Sequence, residues 1–325
     1  MAGINIDEVR GFAAILVVAF HAIASEPSLF HSVWGYFIAS LAYVRMPLFI
    51  AVTGYLYGAQ RSRRPLSFAG WEKRTRRIVP PFLLATVVCW VLSTPTDHAF
   101  NISVGLIFGA WHLWYLQALA IILLVMTMID VVVRPTDAQL WLLVVAAFLL
   151  AALDPLAGFG WFSIDRALYL LPHFLAGAAI GAMPQIINHR PTRMVIYTVG
   201  LIGVILQQLS FWGYIPLWSR QSLVAGAIGV TSFVFVARHM GQNETLRRIG
   251  AYSFPIFLWH LPVSSVISGL FLRHIDIERQ LAVLVKIGVG IVVPIVVTIA
   301  CMRYAPRLLP FVGRRASSKL LRVQD

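Results

Sequence analysis

The segment RGFAAILVVAFH, residues 10–21, sets an arginine and a histidine eleven positions apart at the two ends of an apolar run. A guanidinium grips anionic groups, and an imidazole is the side chain best suited to exchange a proton near neutral pH. On an α-helix eleven residues advance about 1100°, so Arg10 and His21 fall roughly 20° apart on one face and about 16 Å apart along the axis. If Arg10 sits at a water–membrane boundary, His21 falls near the middle of a hydrocarbon layer about 30 Å thick. An ionisable group at that depth is costly and marks a functional site by default, although a bond to a neighbouring helix is the simpler use of such a histidine.

Other segments add candidates. WEKRTRRIVPPF, residues 71–82, lies partly in the basic stretch 59–77, which holds seven basic residues and one acid, Glu72. Orientation in a membrane accounts for most of that charge. Arg74 and Arg77 are more specific: three positions apart on a helical extension, they face the same way and can grip phosphates bidentately. With Arg10 they would make an anion site at one membrane surface, for a phosphate-bearing small molecule or a lipid headgroup. YVRMPLFIAVTGYLYG, residues 43–58, puts Arg45 in the outer part of a span with no helical neighbour to neutralise it; Gly54 and Gly58 form a small-xxx-small pair for close packing. AWHLWYL, residues 110–116, opens a span at the outer face, with Trp111, Trp114 and Tyr115 expected as interface anchors and His112 as a secondary site candidate. His260 lies twelve residues past Arg248, about 18 Å along a helix and about 120° round it. His173, beside a helix break expected at Pro172, is a further buried imidazole. Carboxylates such as Asp7, Glu8, Glu26, Asp130, Asp137 and Asp165 cluster at the interfaces and leave mid-membrane positions empty, which counts against a proton-coupled pump.

The elements that must hold these residues are transmembrane helices. The 325 residues are 59% hydrophobic and 12% charged, with mean hydropathy +0.80, against about 25% charged in soluble globules. The fold expected is all-α and polytopic, with ten spans near 9–26, 33–58, 78–95, 111–133, 138–153, 165–184, 194–212, 219–238, 249–271 and 280–302. Residues 1–302 would form the membrane domain and 303–325 a basic tail suited to lie against anionic lipid. Placing both termini in the cytoplasm collects the basic loops there, from Arg61 through Arg134, Arg190 and Arg247 to the tail. It leaves only Arg166, Arg220, Arg273 and Arg279 outside, as the positive-inside rule requires. The net charge of +13 therefore reads as membrane orientation, and no nucleic-acid partner is expected. Ala22-Ile23-Ala24 imitates a signal-peptide cleavage site, but cleavage there would remove the Arg–His pair, so the segment reads as a retained first span. Cys89 and Cys301 lie in apolar runs and offer no disulfide framework or metal spacing, and no metal site is expected. No internal repeat of the kind that marks many secondary transporters is evident.

IDEVRGFAAILVVAFH, RMPLFIAVTGYL, the R-x-x-R of KRTRRIVPPF, WHLWYL and IGAYSFPIFLWHLP come in the order found in the membrane-bound acyltransferase family 3, which this chain resembles from residue 6 to about 263. WHLWYL and LWHLP also resemble the fucose-4-O-acetylase-like branch. The resemblance implies ten core helices in the bacterial inner membrane, acyl-coenzyme A as donor, acetyl-CoA foremost, and a carbohydrate hydroxyl as acceptor. By it His21 is the catalytic histidine and Arg10, Arg74 and Arg77 serve the coenzyme A, with no permanently bound cofactor. Thr53-Gly54 stands where Ser-Gly is usual, which preserves the hydroxyl. No esterase-like domain follows the membrane unit, so a stand-alone enzyme is expected.

Residue pattern and resemblance agree on a mechanism. Phosphates rest on Arg10, Arg74 and Arg77, the pantetheine arm runs along the first helix, and His21 acts as general base or transient acyl carrier. Arg45, His112, Tyr115 and His260 bind substrate or support the site. The acceptor would be a polysaccharide, a lipid-linked oligosaccharide or a glycolipid. The competing class is a transporter or flippase of an anionic lipid-linked sugar, which would not consume acyl-CoA. A non-catalytic scaffold is the third reading, and it would leave cellular glycans unaltered when His21 is changed.

Overall fold

A computed structural model describes residues 5–29, 32–63, 67–93, 101–156, 158–215, 221–239, 243–272, 274–275 and 277–314. Their order is α1 (Ile6–Ala24), α2 (Val33–Ala42), α3 (Arg45–Arg61), α4 (Phe68–Ser93), α5 (Ile102–Phe108), α6 (Trp114–Val132) and α7 (Asp137–Leu153). There follow α8 (Ile164–Ala182), α9 (Arg190–Phe211), α10 (Gln221–His239), α11 (Glu244–Ala251), α12 (Ser253–Ile267), α13 (Arg279–Tyr304) and α14 (Leu309–Val312). The regular elements among these residues are helical. Among the described residues, five helical stretches are long and apolar enough to cross a membrane: α4, α6, α9, Ser253–Leu272 (α12 with its π-helical extension) and α13. Arg64, Asp97, Arg220, Arg273, Asp276, and the part of the tail from 315 to 325 lie outside the described residues.

Each expected apolar segment carries helix, but two are interrupted. The segment 33–58 divides at Tyr43 and Val44 into α2 and α3, so Arg45 opens a helix instead of lying within one. Segment 249–271 divides at Tyr252, between α11 and α12. There the Tyr252 N–H bonds the Ile249 carbonyl, and Tyr252, at φ −111° and ψ 11°, leaves the helical conformation. Arg248 and His260 therefore share no helix, and the 120° expected between them does not apply. Pro172, conversely, does not break α8, which runs from Ile164 to Ala182. The basic stretch is helical from Phe68, so α4 carries Arg74 and Arg77 on one extension that continues through Pro80 and Pro81.

Backbones touch where small residues allow it. A Cβ on Gly54 would overlap the Phe174 carbonyl oxygen, and one on Gly58 the Ala178 carbonyl oxygen. On the facing helix Gly177 and Gly181 abut the carbonyls of Ala51 and Tyr55. The expected small-xxx-small pair on α3 is thus matched by one on α8, and close van der Waals contact replaces the hydrophobic drive that lipid cannot supply. Helix α11 crosses the start of α1 in the same manner, with Gly11 against Leu246 and Gly250 against Asp7. Glu8 reinforces that crossing by accepting the Asn243 N–H at 3.0 Å and the Asn5 Nδ2–H at 2.8 Å.

At the end of the bundle where α1 begins, Arg61 of α3 ties three elements together. Its Nε donates to Asp130 Oδ1 at 2.6 Å and its Nη1 to Asp137 Oδ1 at 2.7 Å, and Nη2 reaches the Pro135 carbonyl. Tyr57 Oη donates to the other Asp130 oxygen. A half-buried arginine bonded at three nitrogens fixes the end of α3 against the α6–α7 turn.

Candidate active site

The two ends of α1 open on two cavities. Near its start, a cavity of about 340 Å³ is lined by Arg10, Arg74 and Arg77, by Gln60, Thr53 and Tyr57 of α3, and by Tyr115, Phe254 and Phe257 deeper in. Near its end, a cavity of about 820 Å³ is lined by His21, Ser25 and Glu26 of α1 and its C-terminal turn, by Trp111, by serines of α12, and by Arg279 and Lys286 of α13. Both volumes fall in the range of small-molecule sites.

The three arginines expected to act together therefore converge on one cavity. Arg74 is held by two neighbours: its Nη2 donates to Gln60 Oε1 at 2.9 Å, and its guanidinium lies 5.6 Å from the Tyr57 ring centre. Because Tyr57 is itself bound to Asp130, the Arg61 network fixes the platform on which Arg74 rests. Arg10 pairs loosely with Asp7 at 3.5 Å and stays 40% exposed in its side chain, open to a stronger anion. The Thr53 hydroxyl donates to the Phe49 carbonyl at 3.1 Å.

His21 lies in the last turn of α1, on the same helix as Arg10, which bears out the spacing read from the sequence. It does not stand alone. Its ring centre is 5.2 Å from that of His260 and 6.2 Å from that of His112, and those two are 4.7 Å apart. His112 is 3% exposed and His260 1%. His112, a secondary candidate at the start of the expected span, is buried by the turn before α6 against His21 and His260. Gly109, at φ 77°, permits that turn by packing its α-carbon against the Trp114 backbone, where a side chain would clash. Tyr115, expected as an interface anchor, is likewise 4% exposed and lines the arginine cavity.

Hydrogen bonding distinguishes the imidazoles. His260 Nδ1 donates to the carbonyls of Phe257 at 2.8 Å and Ile256 at 3.1 Å, three and four residues back on α12. That bond fixes the tautomer and leaves Nε2 as a lone-pair acceptor. Nε2 of His260 is buried without a hydrogen-bond partner among the described residues, whereas the His112 imidazole lies against the Phe257 and Leu258 carbonyls of α12. Unpartnered polar atoms in such a place are unfavourable until something bonds them. No group of three histidine, cysteine, aspartate or glutamate side chains among the described residues has the geometry of a metal set.

Phe257 joins the two halves of the site. It lines the arginine cavity, and its ring centre lies 5.1 Å from His112 and 5.3 Å from Tyr115. Arg45 flanks the histidines from the other side, its guanidinium stacked 3.4 Å from the centre of Phe20, the residue before His21. That cation–π contact answers the lack of a helical neighbour expected for Arg45, and its buried Nε has no partner among the described residues. His173 is not part of the cluster; it is buried against Phe148, Tyr169 and Gly226. Nothing in the arginine–histidine spacing points to Lys286. The signal that does is a lysine inside the apolar run LAVLVKIGVG.

A family profile described as an acyltransferase domain matches residues 4–303. The inner membrane protein YcfT of Escherichia coli (strain K12) is 25% identical over 353 aligned residues, which cover 97% of this chain and 94% of that protein. No solved structure matches the chain.

Proposed function

This chain belongs to the membrane-bound acyltransferase family 3, and from that premise we propose that it is a membrane O-acyltransferase. It moves an acyl group, acetyl in the simplest case, from cytoplasmic acyl-CoA to a hydroxyl of a cell-envelope or exported carbohydrate. The protein sits in the bacterial inner membrane with ten spans and both termini in the cytoplasm. The arginine cavity then opens inward, to the donor, and the His21 cavity outward, to the acceptor. One observation carries this reading: the arginines and His21 lie on cavities at opposite ends of one helix, with His112, His260 and Phe257 packed between them.

In this scheme the coenzyme phosphates bind Arg10, Arg74 and Arg77. The pantetheine arm follows α1, and the distance of about 16 Å from Arg10 to His21 matches its reach. The thioester passes Phe257 and lies among the imidazoles. His21 takes the proton from the acceptor hydroxyl as its oxygen attacks the thioester carbonyl; the carbon–oxygen bond forms, the carbon–sulfur bond breaks, and the proton goes to the departing thiolate. An acyl-histidine route divides the same transfer into two steps, His21 first displacing the thiolate and then yielding the acyl group to the acceptor. His260, its Nδ1 tied to backbone carbonyls, presents Nε2 to its neighbours and orients His21. His112 can donate to the carbonyl oxygen as it gains charge. Arg45 holds the Phe20–His21 turn in place.

The reading is tested in cells. Deleting the gene should lower O-acetyl content of the envelope glycans, and the intact protein, supplied again, should restore it. Equal O-acetyl content in all three strains would refute it. A flippase is told apart because purified protein would then transport substrate with no consumption of acetyl-CoA.

A further inference from the structure

The cavity at the His21 end contains a charged group that the transfer chemistry above does not use. Lys286 lies two turns into α13 and is 5% exposed. Its Nζ donates to Glu26 Oε1 at 2.6 Å and to Ser25 Oγ at 2.8 Å. Bringing α1 and α13 together does not require this pair. Ala22 and Ile23 already pack against Val283, with Ile287 and Trp34 around them. Replacing a buried ion pair by apolar side chains of similar volume is often neutral or stabilising, so packing alone does not explain its presence. The pair also shares a cavity with His21, since all four side chains line the same space.

The chemistry of the pair is that of a hydroxyl receptor. An ammonium has three donors, two of which are spent on Ser25 and Glu26, and a carboxylate has several acceptor sites, of which Lys286 occupies one oxygen. One ammonium donor and the other carboxylate oxygen therefore remain, the complement of a hydroxyl group that both accepts and donates. Ser264 and Ser265 of α12 add hydroxyls to the same lining. Ser25 follows His21 by four residues, so the pair stands about one turn, roughly 6 Å, beyond the imidazole. That offset is comparable to the breadth of a sugar ring.

We propose that Lys286, Glu26 and Ser25 form the acceptor subsite, binding hydroxyls of a polyhydroxylated ring so that another hydroxyl of the same ring meets His21. This assignment rests on the acyl-transfer reading, and the test separates the two. The full-length protein in detergent is given labelled acetyl-CoA and, as acceptor, de-O-acylated envelope glycan from cells lacking the protein. Lys286→Met should raise the KM for glycan roughly ten- to hundredfold, the loss expected for a charged hydrogen-bond partner, with coenzyme A affinity unchanged. Lys286→Arg keeps the charge and donors and should recover most of the loss. Should Lys286→Met leave Glu26 stranded and the protein unfolded, Glu26→Gln with Lys286→Met removes both charges together, and Ser25→Ala probes the site without touching charge. An unchanged glycan KM in a folded variant overturns the subsite. So does a parallel loss of glycan and coenzyme A binding, which would make the pair a structural tie. Wild-type protein that transfers nothing to the glycan overturns the acyl-transfer reading itself, and the subsite with it.

Discussion

Arg74→Ala isolates the anion site from the chemistry. In the resting protein the guanidinium is already oriented, bonded to Gln60 at 2.9 Å and lying over the ring of Tyr57, so binding an anion requires little further ordering of the side chain. A charge-assisted hydrogen bond contributes about 1.5–3 kcal/mol, so the alanine variant should bind coenzyme A roughly ten- to 150-fold more weakly. Arg74→Lys should not restore wild-type affinity, because an ammonium lacks the planar fork that meets phosphate at two points. Gln60→Ala removes only a neutral partner and the pre-orientation it gives, and about 0.5–1.5 kcal/mol, or a factor of two to twelve, is expected. Titration calorimetry of the detergent-solubilised protein with coenzyme A measures all three. An affinity within twofold of wild type for a folded Arg74→Ala protein would reduce Arg74 to a topology signal and remove the basis for the donor cavity.

Three further outcomes are expected. A reporter fused after Asp325, a position outside the described residues, should register as cytoplasmic and one inserted at residue 274 as external; the reverse would overturn every role assigned to an end of the bundle. Gly54→Leu should destabilise the protein by about 1–3 kcal/mol or more, because the Phe174 carbonyl on the facing backbone cannot yield as a flexible side chain would; an unchanged midpoint in a thermal unfolding assay would show that α3 and α8 do not pack so closely. His260→Ala and His112→Ala should each slow acetyl transfer while leaving coenzyme A affinity intact, since neither lines the arginine cavity. Full turnover in both variants would mean that the imidazole cluster is only packing.

What the sequence discloses here follows the continuity of its helices. Arg10 and His21 were readable as a pair because one unbroken helix holds both, and Arg74 with Arg77 because α4 extends through the basic stretch. The Gly54–Gly58 spacing likewise foretold a backbone contact, although not that Gly177 and Gly181 would answer it. His260 could not be placed from its distance to Arg248, because the helix breaks at Tyr252 and periodicity carries no phase across a break. The burial of His112 was not legible for a related reason: tryptophans on either side imitate an interface belt, and only the turn at Gly109 shows the ring packed among its neighbours. The Glu26–Lys286 pair joins positions 260 residues apart, beyond the reach of any local pattern. Yet a lysine in an apolar run carries the same warning of function as a buried histidine.

In the proposed scheme His21 carries the transfer chemistry and stands apart from the donor's phosphate grip. His21→Ala should bind acetyl-CoA with wild-type affinity, because the arginine cavity lies about 16 Å away along α1, and should transfer no measurable label to envelope glycan. Near-normal transfer by a folded His21→Ala protein would contradict the account.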